Sequence, residues 1–168
     1  MRDPSYELTI GVMAALHENA AITGSPAAYT TIPSGLKEPY LYMGQPSQQE
    51  DRVKDTYVNQ VDFDVWAVTP LEENNSDRAT AMEMSNDIAK VLFPTTQTRL
   101  SIGPEFALRG LRMTGSRGDE MLTADGRTYR QILSFEALIE ALGVQRIVVD
   151  TNGFRLVDTL GNKLITRI

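Results

Sequence analysis

The alternation Val61-Asp62-Phe63-Asp64-Val65-Trp66-Ala67-Val68, set within Tyr57 to Thr69, constrains the fold of this chain more than any other feature. Side chains of a strand point alternately to its two faces. Val61, Phe63, Val65 and Ala67 therefore share one face, and Asp62, Asp64, Trp66 and Val68 the other. The first face requires an apolar layer against it. The second mixes carboxylates with a tryptophan and reads as half wet or covered by a partner. A chain of 168 residues, 42% hydrophobic and 23% charged, has the length of one domain and the ordinary composition of a globular one.

Around this strand the spacing predicts further elements. Asp3 can cap a first helix with Pro4 at its first position, and Leu8, Val12, Ala15 and Leu16 form its apolar stripe, with Gly24-Ser25-Pro26 as the stop. Thr31-Ile32-Pro33 and Pro39 to Met43 read as short strands, at least one near a sheet edge. Gln45 to Thr56 contains Gln48-Gln49-Glu50-Asp51-Arg52 and reads as an exposed loop. Asn74-Asn75-Ser76 caps a second amphipathic helix carrying Ala81, Met84, Ile88, Val91 and Leu92, which Pro94 ends. Glu72, Glu73 and Asp77 suit its positive end.

Phe106 to Met113 and Tyr129 to Leu138 read as a hairpin whose polar arm, Ser116 to Arg127, turns at Asp125-Gly126. The arm is too polar to bury alone and is a candidate contact element, so removal of Arg117 to Asp125 is expected to leave the fold intact but to weaken assembly. After Gly143, Ile147 to Val149, Phe154 to Val157 and Leu164 to Thr166 alternate with Asn152-Gly153 and Gly161-Asn162 turns. This C-terminal β-meander, residues 143–168, extends a main domain of residues 1–142. It is too small to be stable alone and must rest on the main sheet or on a neighbouring subunit.

Chemistry is sparse. With no cysteine, disulfides, thiolate metal sites and cysteine nucleophiles are excluded. The single histidine, His17, has no second histidine at metal spacing and reads as a surface or half-buried helical residue. Asp62 and Asp64 point the same way but lack the further oxygens that a hard cation needs. Gly115-Ser116-Arg117-Gly118 lacks the lysine and the strand-then-helix setting of a phosphate loop. No catalytic, cofactor or metal site is expected. The net charge of −6 opposes a nucleic-acid grip, since phosphate binding needs clustered cations. No apolar run is long enough to cross a bilayer, and the start lacks a signal-peptide pattern, so folding in a cytoplasm is expected.

The order of elements nonetheless resembles a known family. It comprises an N-terminal helix, an Ile-Pro segment, the strand Pro39-Tyr40-Leu41-Tyr42, and the strand Val61 to Trp66 running into a helix over Ala79 to Leu92. Two late strands follow, the last carrying Asp125-Gly126-Arg127-Thr128-Tyr129 before Leu133-Ser134-Phe135. Over residues 5 to 140 this is similar to the tail terminator, or tail-completion, proteins of long-tailed bacteriophages and related gene-transfer particles. The resemblance implies an α+β fold: a mixed, mainly antiparallel sheet with two helices packed on one face. It also implies a structural virion protein at the head–tail junction, without enzymatic activity. Such a protein forms a ring, usually a hexamer, that caps the tail tube, ends tube growth and receives the connector of the head. DNA passes through the lumen without specific binding, and an acidic lining would keep it from sticking.

A ring needs two different patches that meet head to tail. The two arms, with Gln48, Gln49, Glu50, Asp51 and Arg52 on one and Arg117, Asp119, Glu120, Asp125 and Arg127 on the other, are expected to touch neighbours or the tube. Tyr42 and Trp66 are candidate anchors, because aromatics concentrate at interface centres; packing in the core is the competing reading. Rival functions are another neck or head-completion protein, an unrelated small-ligand-binding or enzymatic domain with a polar-lined pocket, and a regulatory binding module.

Overall fold

A computed structural model describes residues 3–53, 56–71, 76–93, 100–123, 126–142, 145–147 and 165–167. Its elements in chain order are helix α1 (Pro4–Leu16), strands β1 (Ala28–Tyr29), β2 (Tyr40–Met43), β3 (Ser47–Val53) and β4 (Thr56–Pro70), helix α2 (Ser76–Leu92), and strands β5 (Phe106–Thr123), β6 (Gly126–Ala141), β7 (Gln145–Ile147) and β8 (Ile165–Arg167). Six strands form one sheet in the order β1-β2-β4-β6-β5, with β3 pairing the part of β4 that β2 leaves free. Only β1 and β2 run parallel; every other pairing in this sheet is antiparallel.

The alternation in β4 sets the layers. Val61, Phe63, Val65 and Ala67 are buried, and across the ladder they meet Ala137, Phe135, Leu133 and Gln131 of β6. Phe63 and Phe135 stack with ring centroids 5.2 Å apart. Leu8, Val12 and Leu16 of α1 and Met84, Ile88 and Leu92 of α2 join the same buried cluster, so both helices lie on this face. Each of these large apolar side chains contributes about 1.5–3 kcal/mol by leaving water. α1 packs on β1 and β2 and on α2, and α2 lies over β4 and β6. The α+β fold with two helices on one face is as the sequence implies.

α1 begins as expected: the Asp3 carboxylate accepts from the backbone N–H of Ser5 at 2.9 Å. It ends at Leu16, well before Gly24. His17 is the C-cap, and its Nδ1 accepts the backbone N–H of Ala28 at 3.1 Å. That bond ties Ala28 to the end of α1, and Ala28–Tyr29 pairs parallel with Leu41–Tyr42 of β2, whereas Thr31-Ile32-Pro33 is irregular. The expected cap Asn74-Asn75 lies outside the described residues.

Two expected loops are strands. Ser47–Val53, within the supposed Gln45–Thr56 loop, pairs residue by residue with β4 from Asp62 to Thr56. Its sequence holds a single apolar residue, Val53, so no alternation marks it; β4 supplies the template. The supposed arm from Ser116 is likewise the second half of β5. It pairs with β6 as far as Thr123↔Gly126, while β6 pairs with β4 as far as Thr128↔Pro70. The Leu71 N–H also donates to the Arg127 carbonyl at 2.8 Å. The hairpin is therefore part of the sheet, and removing Arg117 to Asp125 would strip the edge from β6. Two register shifts, between Leu108 and Gly110 and between Met113 and Gly115, interrupt the β5 ladder.

Of the C-terminal meander, β7 and β8 pair antiparallel with each other and are not hydrogen-bonded to the main sheet. The expected strand Phe154 to Val157 and both turns lie outside the described residues. Among the described residues no helix is long and apolar enough to cross a membrane.

Candidate interaction surfaces

The sheet face away from the helices carries a second, smaller cluster. Tyr40↔Val68, Tyr42↔Trp66, Trp66↔Ile132 and Val68↔Arg130 are cross-strand neighbours. Tyr40, Val68 and Ile132 are buried there although they lie outside the main core. The Tyr42 and Trp66 rings meet edge to face with centroids 4.8 Å apart, and the Arg130 guanidinium sits 4.8 Å from the Trp66 ring centroid. Arg130 also holds Asp119 of β5 in an ion pair. Trp66 Nε1 and Arg130 Nε are shielded from solvent without a hydrogen-bond partner among the described residues.

Charge on this face is paired strand to strand. Arg109 binds Glu140, and Arg112 donates to Glu136 at 2.7 Å. The Ser134 hydroxyl donates to Asp64 at 2.7 Å, while Asp62 takes a long bond from Gln60 at 3.4 Å. The hydrogen bond and charge of Arg130 hold the Asp119 carboxyl below the usual carboxylate range. The Glu136 carboxylate raises the Arg112 guanidinium further, and burial raises the Tyr40 hydroxyl. Asp62 and Asp64 thus sit in a network of polar partners. Among the described residues no group of three or more acidic or histidine side chains could hold a metal.

The helix face has its own ion pair where α2 meets β5. Arg78 binds Glu120 and lies 5.8 Å from the Tyr129 ring centroid. The Tyr129 hydroxyl donates to Gln131 at 3.0 Å, and Gln131 donates to Ser116 at 2.7 Å. Gly118 is required beneath this chain of bonds, because a Cβ there would land on the Tyr129 hydroxyl. Between α2 and β5 runs a groove of about 240 Å³, lined by Met82, Ser85, Asn86 and Ala89 on the helix and by Met113, Ser116, Gln131 and Leu133 on the sheet. None of these side chains is charged.

The residues expected at interfaces divide accordingly. Tyr42, Trp66 and Asp119 are brought together on one face around Arg130, whereas Glu120 points to the other and binds α2. Arg117 and Arg127 are exposed on the hairpin. Gln48 and Gln49 are exposed on β3, where Gln48 donates to Asn59 at 2.9 Å. The side chains of Glu50, Asp51 and Arg52, and all of Asp125, lie outside the described residues. Tyr42 and Trp66 belong neither to the main core nor to open solvent; they roof the second cluster.

Arg130 and the exposure of Met82 and Met113 escaped the sequence reading, which takes methionines as core filler, since only the register and the helix phase place them. Tyr6 and Ile10 of α1 also escaped it, although their signal was legible: α1 has a single charged side chain, Glu7, and that one is buried.

No protein-family model matches the sequence, and no curated protein matches it. Among solved structures the chain is similar to one from the virion of a native gene transfer agent particle. The TM-score is 0.61 at 21% identity, over 80% of this chain and 95% of that one. At this identity the likeness establishes a shared fold.

Proposed function

We propose that this chain is a structural virion protein of a phage-like particle, acting as a tail terminator. It forms a ring that caps the tail tube, ends tube growth and offers the surface on which the head is joined. The observation that carries the reading is the fold likeness to a chain of a gene transfer agent virion, which spans 95% of that chain. The order of helices and strands supports it, because it is the order in which the sequence resembles the tail terminators. The net charge of −6 fits a lumen through which DNA slides without adhering. The chain acts by assembly with copies of itself, with the tube protein and with the connector, and needs no cofactor.

The test is the mass of the purified protein by light scattering over a wide concentration range, followed by co-sedimentation with assembled tail tubes. A hexamer, or a monomer that binds tube ends and blocks their growth, is expected. A stable dimer that ignores tubes would sink the reading. A neck protein on the portal side fits the same fold likeness; it would bind the connector and leave the tube ends free.

A further inference from the structure

Two uncharged surfaces lie at opposite ends of the helical layer. The first is the outer stripe of α1. Tyr6, Ile10 and Ala14 recur at helical spacing along it, and Tyr6 is 61% and Ile10 47% exposed. On a surface helix the face away from the core is ordinarily charged or polar, and this stripe carries no charge. The second surface is the groove between α2 and β5, where Met82 is 55% and Met113 48% exposed.

The geometry of layers explains why the groove exists. A helix with its side chains is about 10–12 Å across, so it roofs about two strands spaced ~4.8 Å apart. α1 covers β1 and β2, and α2 covers β4 and β6. No third helix among the described residues covers β5. The two flanks of α2 confirm the arrangement. Asp87, which accepts from the Thr23 hydroxyl at 2.7 Å, faces the side of α1 and its following loop, while Met82 and Ala89 face the groove.

We propose that α1 of a second copy of this chain docks in the groove, with Tyr6 and Ile10 entering between Met82 and Met113, and completes the helical layer over β5. The proposal deepens the ring reading and rests on it. The stripe and the groove are different patches on opposite ends of one molecule, so each subunit offers one to each neighbour. This is the head-to-tail interface from which rings are built. The absence of charge on both surfaces means that docking strands no ion away from water. At about 240 Å³ the groove is smaller than the roughly 300–1,000 Å³ of small-molecule sites. It also lacks the lining cations that a nucleic acid would need.

The experiment compares wild type with Ile10→Asp and Met82→Asp by light scattering, singly and as an equimolar mixture. Both positions are exposed, so circular dichroism and thermal unfolding should be unchanged. Each substitution alone is expected to raise the concentration for half-assembly by at least about 100-fold, because it buries an unpaired charge. The mixture is expected to stop at dimers, since each variant keeps one sound surface. Rings unaffected by either substitution would overturn this interface and leave the ring intact. Open chains that both substitutions block would keep the interface and overturn the ring. A wild type that stays monomeric up to millimolar concentration overturns the interface, and tube binding by that monomer would still uphold the tail function.

Discussion

Single residues in this chain are held in place by contacts that reverse ordinary expectations. Gly11 sits inside α1, where alanine normally adds about 0.5–1 kcal/mol. A Cβ at this position would instead land on the backbone carbonyl oxygen of Ser101 and crowd Ile102. Gly11→Ala is therefore expected to lose about 1–3 kcal/mol in urea unfolding; a gain would show that the 100–103 segment yields. Asp119 bears on pH dependence. Its carboxyl is held below its usual range first by the Arg130 hydrogen bond and then by the Arg130 charge. A lowered folded value gives stability that is complete above the unfolded value of about 3.9 and is lost as pH falls through the folded one. Asp119→Asn should thus unfold at lower temperature than wild type at neutral pH, and the gap should close on acidification below about pH 4. The same residue marks a limit of reading by sequence. Asp119 is visible as a polar hairpin residue, but its partner Arg130 and their neighbour Trp66 become neighbours only through the registers of β5, β6 and β4.

Elements with a buried face were legible; those without one were not. β4 and α2 declare themselves because their apolar residues recur with the period of the element. β3 does not, because Ser47, Gln48 and Gln49 are exposed and its pairing is dictated by β4. The second half of β5 reads as a free arm for the same reason: at the sheet edge, with Arg117 and Glu120 exposed, polar residues are compatible with a strand. Deletion of Arg117 to Asp125 gives a direct check. It removes the ladder that covers β6 from Ile132 to Gly126 and both described ion pairs of this strand segment. The shortened protein should melt well below wild type, with weaker strand signal in circular dichroism. An unchanged melting curve would restore the reading of this hairpin as an appendage. Candidate surfaces were less legible than the fold, since a surface is a property of several elements at once. The candidate anchors Tyr42 and Trp66 stand out by residue type alone, while the Met82 and Met113 groove needs both the phase of α2 and the position of β5.

As a whole, the molecule is asymmetric from end to end. One end of its helical layer offers an apolar helix, the other an apolar groove, and the reverse face of the sheet is tied by Arg–carboxylate pairs across β5 and β6. That asymmetry is what the proposed head-to-tail docking requires. β5 adds a condition of its own, since it is a long strand at the edge of the main sheet. Its two register shifts interrupt the even spacing of N–H and C=O groups and increase the local twist. A flat strand from another molecule can then match only short stretches of this edge, and Arg112, Arg117 and Asp119 put charge beside them. Such an edge gives a like strand little to pair with, so concentrated protein is expected to stay free of fibrils, which a thioflavin time course checks.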